Sequence, residues 1–273
     1  MQTGIAYIRE ELAGIYPGEE IRAMASLVIR HIKSYSHTQM LLARNEILSP
    51  DEREKLNGIV LRLKKQEPLQ YILGETEFFG LKILCRSGVL IPRPETEELV
   101  EWVLKECAGQ RYFLDIGTGT GCLPIALKKN LPEATVSGCD ISETCIQLAR
   151  ENAALNETDV SFFRMDILQP EEKKGLRQYD VLVSNPPYVR ESEKKQMQPN
   201  VLYHEPALAL FVPDDDPLRF YRALLYLPNN RWHPKAAFIG KSTKYWGWNV
   251  RLFCSISDMR ISGCEKTYTA KTV

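Results

Sequence analysis

The segment Asn185-Pro186-Pro187-Tyr188 carries the most specific chemistry in the chain. Two consecutive prolines donate no backbone hydrogen bond and fix φ, and Pro186 drives Asn185 toward an extended conformation. A stiff loop with outward carbonyls results. The Asn185 side-chain oxygen and the Pro186 carbonyl then accept both hydrogens of a planar NH2 group, while Tyr188 stacks on its π-face. The competing reading is a plain turn presenting a ligand for a proline-recognising domain. Its position after the predicted strand Val183-Ser184, downstream of a glycine-rich loop, argues against that reading.

The glycine-rich loop is Asp115-Ile116-Gly117-Thr118-Gly119-Thr120-Gly121-Cys122. Alternating glycines let the backbone turn tightly and approach a ligand closely, and the helix N-terminus beyond offers unpaired N–H groups. The dinucleotide fingerprint wants glycine at position 122, where this chain has Cys122, so a nicotinamide or flavin cofactor is disfavoured. Asp140 lies 19 positions past Gly121, where a doubly wound sheet sets a carboxylate against ribose hydroxyls. A helix N-cap is the alternative role for Asp140, which Ser142 fills equally well. Asp166 and Ile167 sit where one accepts from an adenine amino group and the other packs on the ring, although turn aspartates are common there.

These segments need a scaffold. Strands are predicted at Tyr112–Ile116, 134–139, Val160–Arg164 and 179–184, with helices near 123–129 and Glu143–Leu155 between the first three. Such alternation predicts an α/β fold, a Rossmann-like parallel sheet covered by helices on both faces. Upstream, residues 1–73 read as a small helical bundle. One helix starts at Ser49-Pro50-Asp51-Glu52 with a capping box and runs through the apolar stripe Leu56, Ile59, Val60, Leu63. Its other face carries Arg53, Lys55, Arg62, Lys64 and Lys65, most simply a solvated surface. An earlier helix shows the stripe Ile21, Met24, Leu27, Val28, Ile32. Residues 78–84 and 89–91 read as two strands of a hairpin joining the domains. The expected division is 1–73 helical, 74–94 linker hairpin and 95–273 ligand-binding.

Lys and Arg match Asp and Glu at 35 each, so no global field draws the protein to nucleic acid or an anionic membrane. Seven cysteines and four histidines are scattered without metal-ligand or disulfide spacing, and no metal is expected. No run approaches the ~18 apolar residues of a membrane span. A soluble cytoplasmic protein is expected.

On these motifs, together with Glu67-Pro68-Leu69-Gln70-Tyr71-Ile72-Leu73-Gly74, Phe78-Phe79-Gly80-Leu81 and Leu90-Ile91-Pro92-Arg93-Pro94-Glu95-Thr96-Glu97, the chain resembles class I S-adenosylmethionine methyltransferases. More narrowly, it resembles the bacterial protein-(glutamine-N5) methyltransferases of peptide chain release factors. The resemblance implies S-adenosylmethionine as cofactor, with Gly117, Thr118, Gly119, Thr120 and Gly121 along its methionine end. Asp140 would take its ribose, Asp166 and Ile167 would flank adenine, and Asn185 would lie near it. It further implies Asn185, Pro186, Pro187 and Tyr188 on the glutamine amide, with Asn185, Pro186 and Tyr188 catalytic and Arg93 and Thr96 shaping the pocket. The partner would be a release factor gripped by the helical domain, with no direct nucleic-acid or membrane partner and a monomeric state. Adenine-amino methylation of DNA or RNA, glutamine methylation of a ribosomal protein, and an inactive binding protein stay open. The family pattern fades from about residue 229. The closing strand is not recognisable near 234–240, which predicts an uncovered sheet edge and reduced stability.

Overall fold

The computed structural model describes residues 2–42, 46–225, 235–241 and 249–254. The chain runs through α1 (Gln2–Leu12), α2 (Gly18–Lys33), α3 (His37–Leu42), α4 (Pro50–Lys64), α5 (Leu69–Leu73), β1 (Glu75–Phe78), β2 (Leu81–Leu84) and α6 (Pro94–Glu106). It continues through β3 (Tyr112–Ile116), α7 (Cys122–Asn130), β4 (Thr135–Asp140), α8 (Glu143–Leu155), β5 (Val160–Arg164), β6 (Val181–Ser184) and β7 (Val189–Arg190). Then come α9 (Pro199–His204), α10 (Ala207–Leu210), β8 (Phe211–Val212), α11 (Arg219–Leu225), β9 (Lys235–Lys241) and β10 (Asn249–Cys254). Two compact units emerge: Met1–Glu75 with Gln198–His204, and Thr76–Met197 with Glu205–Val273.

The first unit is helical. At the start of α4, Ser49 Oγ accepts from Glu52 N at 3.2 Å and the Glu52 carboxylate accepts from Ser49 N at 2.7 Å, the capping box read from sequence. Leu56, Val60 and Leu63 are buried against Ile8, Leu12, Val28 and Ile29, with Ile59 packed at the margin. The stripe expected in α2 is corrected at one position: Leu27 is 43% exposed, and Ala25 and Ile29 are buried instead. A 3.6-residue period widens the buried face beyond a strict i, i+3, i+4 count. On the basic face of α4, Arg62 pairs with Glu67 at 2.5 Å and Lys64 pairs with Glu11.

The second unit is built on a sheet of order β10-β9-β6-β3-β4-β5. β3 pairs in parallel with both β4 and β6, β4 with β5, and β6 with β9, while β10 returns antiparallel to β9. Alternate residues of the central strands serve opposite cores. Phe113, Val181 and Val183 join Leu99, Val103, Leu123 and Leu127 of α6 and α7. Leu114, Ile116 and Leu182 join Met165, Tyr179 and Leu224. Burial on both faces is why these strands read as continuous apolar runs.

Two expectations are corrected here. The hairpin strands are β1 and β2, joined by the turn Phe79-Gly80 at φ +52° and +72°, and residues 89–91 form no strand. A two-residue turn with both φ values positive matches the right-handed strand twist, and Gly80 takes this conformation at no cost. The second correction is at the sheet edge, where β9 pairs Val181 with Lys235 through Ser184 with Phe238, so β6 is covered. The run Ala236-Ala237-Phe238-Ile239 is apolar enough for an interior parallel strand, although it lacks the family's expected pattern. Trp246, Trp248 and Cys264, part of the poorly periodic tail, lie outside the described residues.

Candidate active site

Strand order reverses at β3. The chain moves from β3 to β4 and β5 on one side, then returns to β6 and β9 on the other. In open α/β sheets a crevice forms at the carboxyl ends of strands flanking such a reversal. Ile116 and Ser184 are register partners there, and Ser184 Oγ donates to the Ile116 carbonyl at 2.6 Å. The glycine-rich loop and the Asn185 loop therefore leave the sheet side by side.

The three glycines have different tasks. Gly117, Gly119 and Gly121 all have positive φ, at +79°, +54° and +77°. A Cβ on Gly121 would lie 2.8 Å from Ala149 Cβ, so this glycine lets the loop press on α8. A Cβ on Gly117 would meet nothing within 4 Å, and one on Gly119 only Val89 Cγ1 at 4.0 Å. These two present bare backbone to open space, the form a close-fitting ligand requires. Gly117 N and Thr118 N both donate to the Cys139 carbonyl, at 2.9 and 3.0 Å. Gly119 N donates to Asp140 Oδ2 at 2.9 Å.

Asp140 thus holds the loop, and its other oxygen, Oδ1, accepts from Ser142 N at 2.9 Å. The Cys145 side chain and the Ile141 amide also interact with this carboxylate. The N-cap of α8 is Ser142, whose hydroxyl accepts from Cys145 N at 3.4 Å. Burial raises the Asp140 pKa against the lowering effect of the Ser142 and Gly119 amides. Asp166 follows β5 by two residues. Its Oδ1 accepts from Leu168 N at 2.9 Å, the geometry of an aspartate turn, and its own N–H donates to Glu172 at 2.7 Å. Ile167 beside it is buried.

After β6, Asn185 Nδ2 donates to Thr96 Oγ1 at 3.2 Å. Its Oδ1 is buried and has no hydrogen-bond partner. A desolvated acceptor left unpaired costs about 1–3 kcal/mol, so its presence points to a donor supplied from outside the chain. Pro186 is buried, and Pro187 and Tyr188 are half-buried. Burial, then the proximity of Tyr188, raises the pKa of the Tyr221 phenol. Thr96 is held in the first turn of α6, its N–H donating to the Arg93 carbonyl at 2.9 Å. The Arg93 guanidinium pairs at 2.5 Å with Glu205, whose side chain is 1% exposed.

Three further residues were not singled out from sequence. Asp115 is buried beneath the loop, and burial pushes its carboxyl up to about 7, helped by the Asp140 charge and moderated by the Thr118 hydroxyl. That hydroxyl lies near Asp115 without reaching hydrogen-bond geometry, and it is a second buried polar atom without a partner. Asn152, fully buried on α8, accepts from Leu84 N at 2.7 Å and donates to the Leu84 and Thr120 carbonyls at 3.2 and 2.9 Å. Glu97 accepts from Phe79 N at 2.6 Å, fixing the hairpin turn to α6. Asn152 had a legible signal as a polar residue on the apolar face of a predicted helix. Among the described residues no cluster of three or more His, Cys, Asp or Glu side chains is placed to hold a metal ion, and no helix is long and apolar enough to cross a membrane.

Comparison with known proteins gives two family models: PrmC N-terminal domain over residues 5–74 and Methyltransferase small domain over residues 95–208. A release factor glutamine methyltransferase of Bacteroides thetaiotaomicron is 46% identical over 229 residues, covering 84% of this chain and 82% of that protein. One from Flavobacterium psychrophilum is 44% identical, covering 80% of this chain and 78% of that protein. One from Streptococcus pneumoniae is 40% identical, covering 79% and 75%.

Proposed function

Given that the chain belongs to the release factor glutamine methyltransferase family, we propose that it methylates the side-chain amide nitrogen of a glutamine in a peptide chain release factor, with Asn185-Pro186-Pro187-Tyr188 holding that amide. The observation that carries this assignment is the unpaired, buried Asn185 Oδ1 at the end of β6.

The cradle of Gly117 and Gly119, the waiting Thr118 hydroxyl and the Asp140 carboxylate fit S-adenosylmethionine. Gly117 through Gly121 line its methionine end, Asp140 accepts from its ribose, and Asp166 and Ile167 flank its adenine. When bound, it supplies an electrophilic methyl group on a sulfonium sulfur. An amide nitrogen is a poor nucleophile because its lone pair is delocalised into the carbonyl. The chain compensates by orientation, which can supply ~7 kcal/mol or more. Asn185 Oδ1 and the Pro186 carbonyl accept the two amide hydrogens, and Tyr188 covers the π-face. Accepting both hydrogens favours a partly pyramidal nitrogen, an interaction that strengthens toward the transition state. The proton leaves after transfer, when the nitrogen has become strongly acidic. Thr96 fixes the Asn185 rotamer, and Arg93 closes the same wall. The helical unit takes the release factor, and the enzyme works in the cytoplasm as a monomer, without contacting nucleic acid directly.

The test offers methyl-labelled S-adenosylmethionine with release factor, ribosomal protein, DNA and RNA in parallel. Label on a release-factor glutamine is expected. Label in nucleic acid or ribosomal protein alone overturns the assignment.

A further inference from the structure

Glu205 lies more than a hundred residues from the loop it contacts, yet its carboxylate is among the most buried charges in the second unit. Its two oxygens serve one short loop. Oε1 accepts from Arg93 at 2.5 Å and Oε2 accepts from Ile91 N at 3.4 Å. That loop, Ile91-Pro92-Arg93-Pro94, leads directly into α6, with Arg93 as N-cap and Pro94 as the first helical residue. The cap donates no side-chain hydrogen bond to the helix, so the start of α6 is set by its prolines and by what holds Arg93. Two residues into the helix, Thr96 N donates to the Arg93 carbonyl, and Thr96 Oγ1 accepts a hydrogen bond from Asn185 Nδ2. A continuous set of contacts therefore runs from Glu205 through Arg93 and Thr96 to the Asn185 carboxamide.

We infer that Glu205 is a positioning residue for methyl transfer: through Arg93 and Thr96 it fixes the position of the Asn185 carboxamide, and with it the Oδ1 that faces the substrate nitrogen. The inference rests on the amide-holding role proposed for Asn185. A burial this complete is costly for a carboxylate unless it is paired, and the Arg93 pair together with the Ile91 amide supplies that compensation. The pair does more than bury charge. Arg93 is one-third exposed, so a solvated arginine at this place was available to the fold; tying it to Glu205 restricts the first turn of α6. Glu205 is also the first residue of the second unit after the excursion Gln198–His204, which makes the carboxylate the point where the returning chain is fixed.

Glu205→Gln keeps the size and one acceptor for Ile91 N–H but removes the charge that holds Arg93. The enzyme is assayed as the full chain with a release factor. A carboxamide misplaced by a fraction of an ångström lowers kcat by about tenfold to a hundredfold. Affinity for S-adenosylmethionine, measured by titration, stays within about twofold, because the glycine loop and Asp140 do not touch this chain of contacts. Thr96→Val supplies the readout that a purely structural role would not move. If both residues act through Asn185, the double variant loses little more than the worse single variant, whereas independent effects multiply. Should Glu205→Gln melt early, Arg93→Gln at the more exposed partner, which likewise removes the ion pair, carries the same test. An unchanged kcat, a loss confined to the KM for release factor, or a full product of the two single losses overturns the inference. Wild-type protein that fails to label release factor refutes the underlying reading instead, so the two failures are distinguishable.

Discussion

Replacing Asn185 with leucine should separate stability from activity. In the free protein the Asn185 side chain makes one hydrogen bond, from Nδ2 to Thr96 Oγ1 at 3.2 Å, and buries Oδ1 without a partner. Losing the bond also leaves the buried Thr96 hydroxyl unpaired and costs about 1–3 kcal/mol, while removing a desolvated, unpaired acceptor returns about 1–3 kcal/mol. Leucine keeps the branching at Cγ and is the larger side chain, so no cavity opens. The two terms offset, and the net change stays within about 2 kcal/mol of zero. For a domain of this size the melting temperature shifts by no more than about 6 °C in either direction. Methyl transfer should fall a hundredfold or more, because the acceptor proposed to orient the substrate nitrogen is gone. The assay pairs a thermal melt of the full chain with a labelled-methyl measurement. A melting temperature lowered by more than about 10 °C would show that Oδ1 is paired in the free protein and refute the reasoning.

Asn185→Ala should abolish transfer while sparing S-adenosylmethionine affinity more than Asp140→Ala does, since Asp140 holds Gly119 and is the residue proposed to accept from the ribose; calorimetric titration of the two variants checks this. Gly121→Ala should destabilise by about 2–5 kcal/mol, combining a left-handed φ of +77° with a Cβ 2.8 Å from Ala149 Cβ. Gly117→Ala, with φ +79° and open space around its Cβ, should cost only about 1–2 kcal/mol yet weaken cofactor binding; melts and titrations on both variants distinguish the two roles. Asp115 has its carboxyl raised to about 7 in the fold from an ordinary 3.8, so between those values the native state holds a proton that the unfolded chain releases. Wild-type stability therefore falls as pH rises through that window. Asp115→Asn should gain on wild type progressively from pH 4 to 7, as denaturant melts at several pH values would show; a stability difference independent of pH contradicts the buried-proton account.

Much of the scaffold was legible because local signals and burial agreed. β3 and β5 fall at the predicted residues, and α8 spans Glu143–Leu155 as its spacing implied. The capping box at Ser49 and Glu52 was readable because both bonds are made three residues apart. The hairpin was misread because Phe79-Gly80 lies between apolar residues and resembles strand interior; Phe79 takes a positive φ that its side chain does not advertise. The turn is fixed by Glu97, 18 residues away, and such a partner has no local signature. The covered edge of β6 was missed for a related reason: pairing recruits β9 through backbone groups, which any apolar run can offer. At the crevice, Asn185 and Asp140 could be chosen by residue type and spacing, and Thr96 only through the family resemblance. Glu205 could not, since its contacts with Ile91 and Arg93 span more than a hundred residues, at separations of 114 and 112.

The side chain of Asn152 has a consequence for the order of events. Its oxygen takes the Leu84 N–H, and its amino group serves two carbonyls, one on Leu84 and one on Thr120. One amide thus commits its donors and its acceptor to knitting a hairpin strand to the glycine-rich turn, in a place without solvent. That turn has its shape before any ligand arrives. Binding then spends little free energy on ordering the wall it meets, and more of the contact energy remains as affinity.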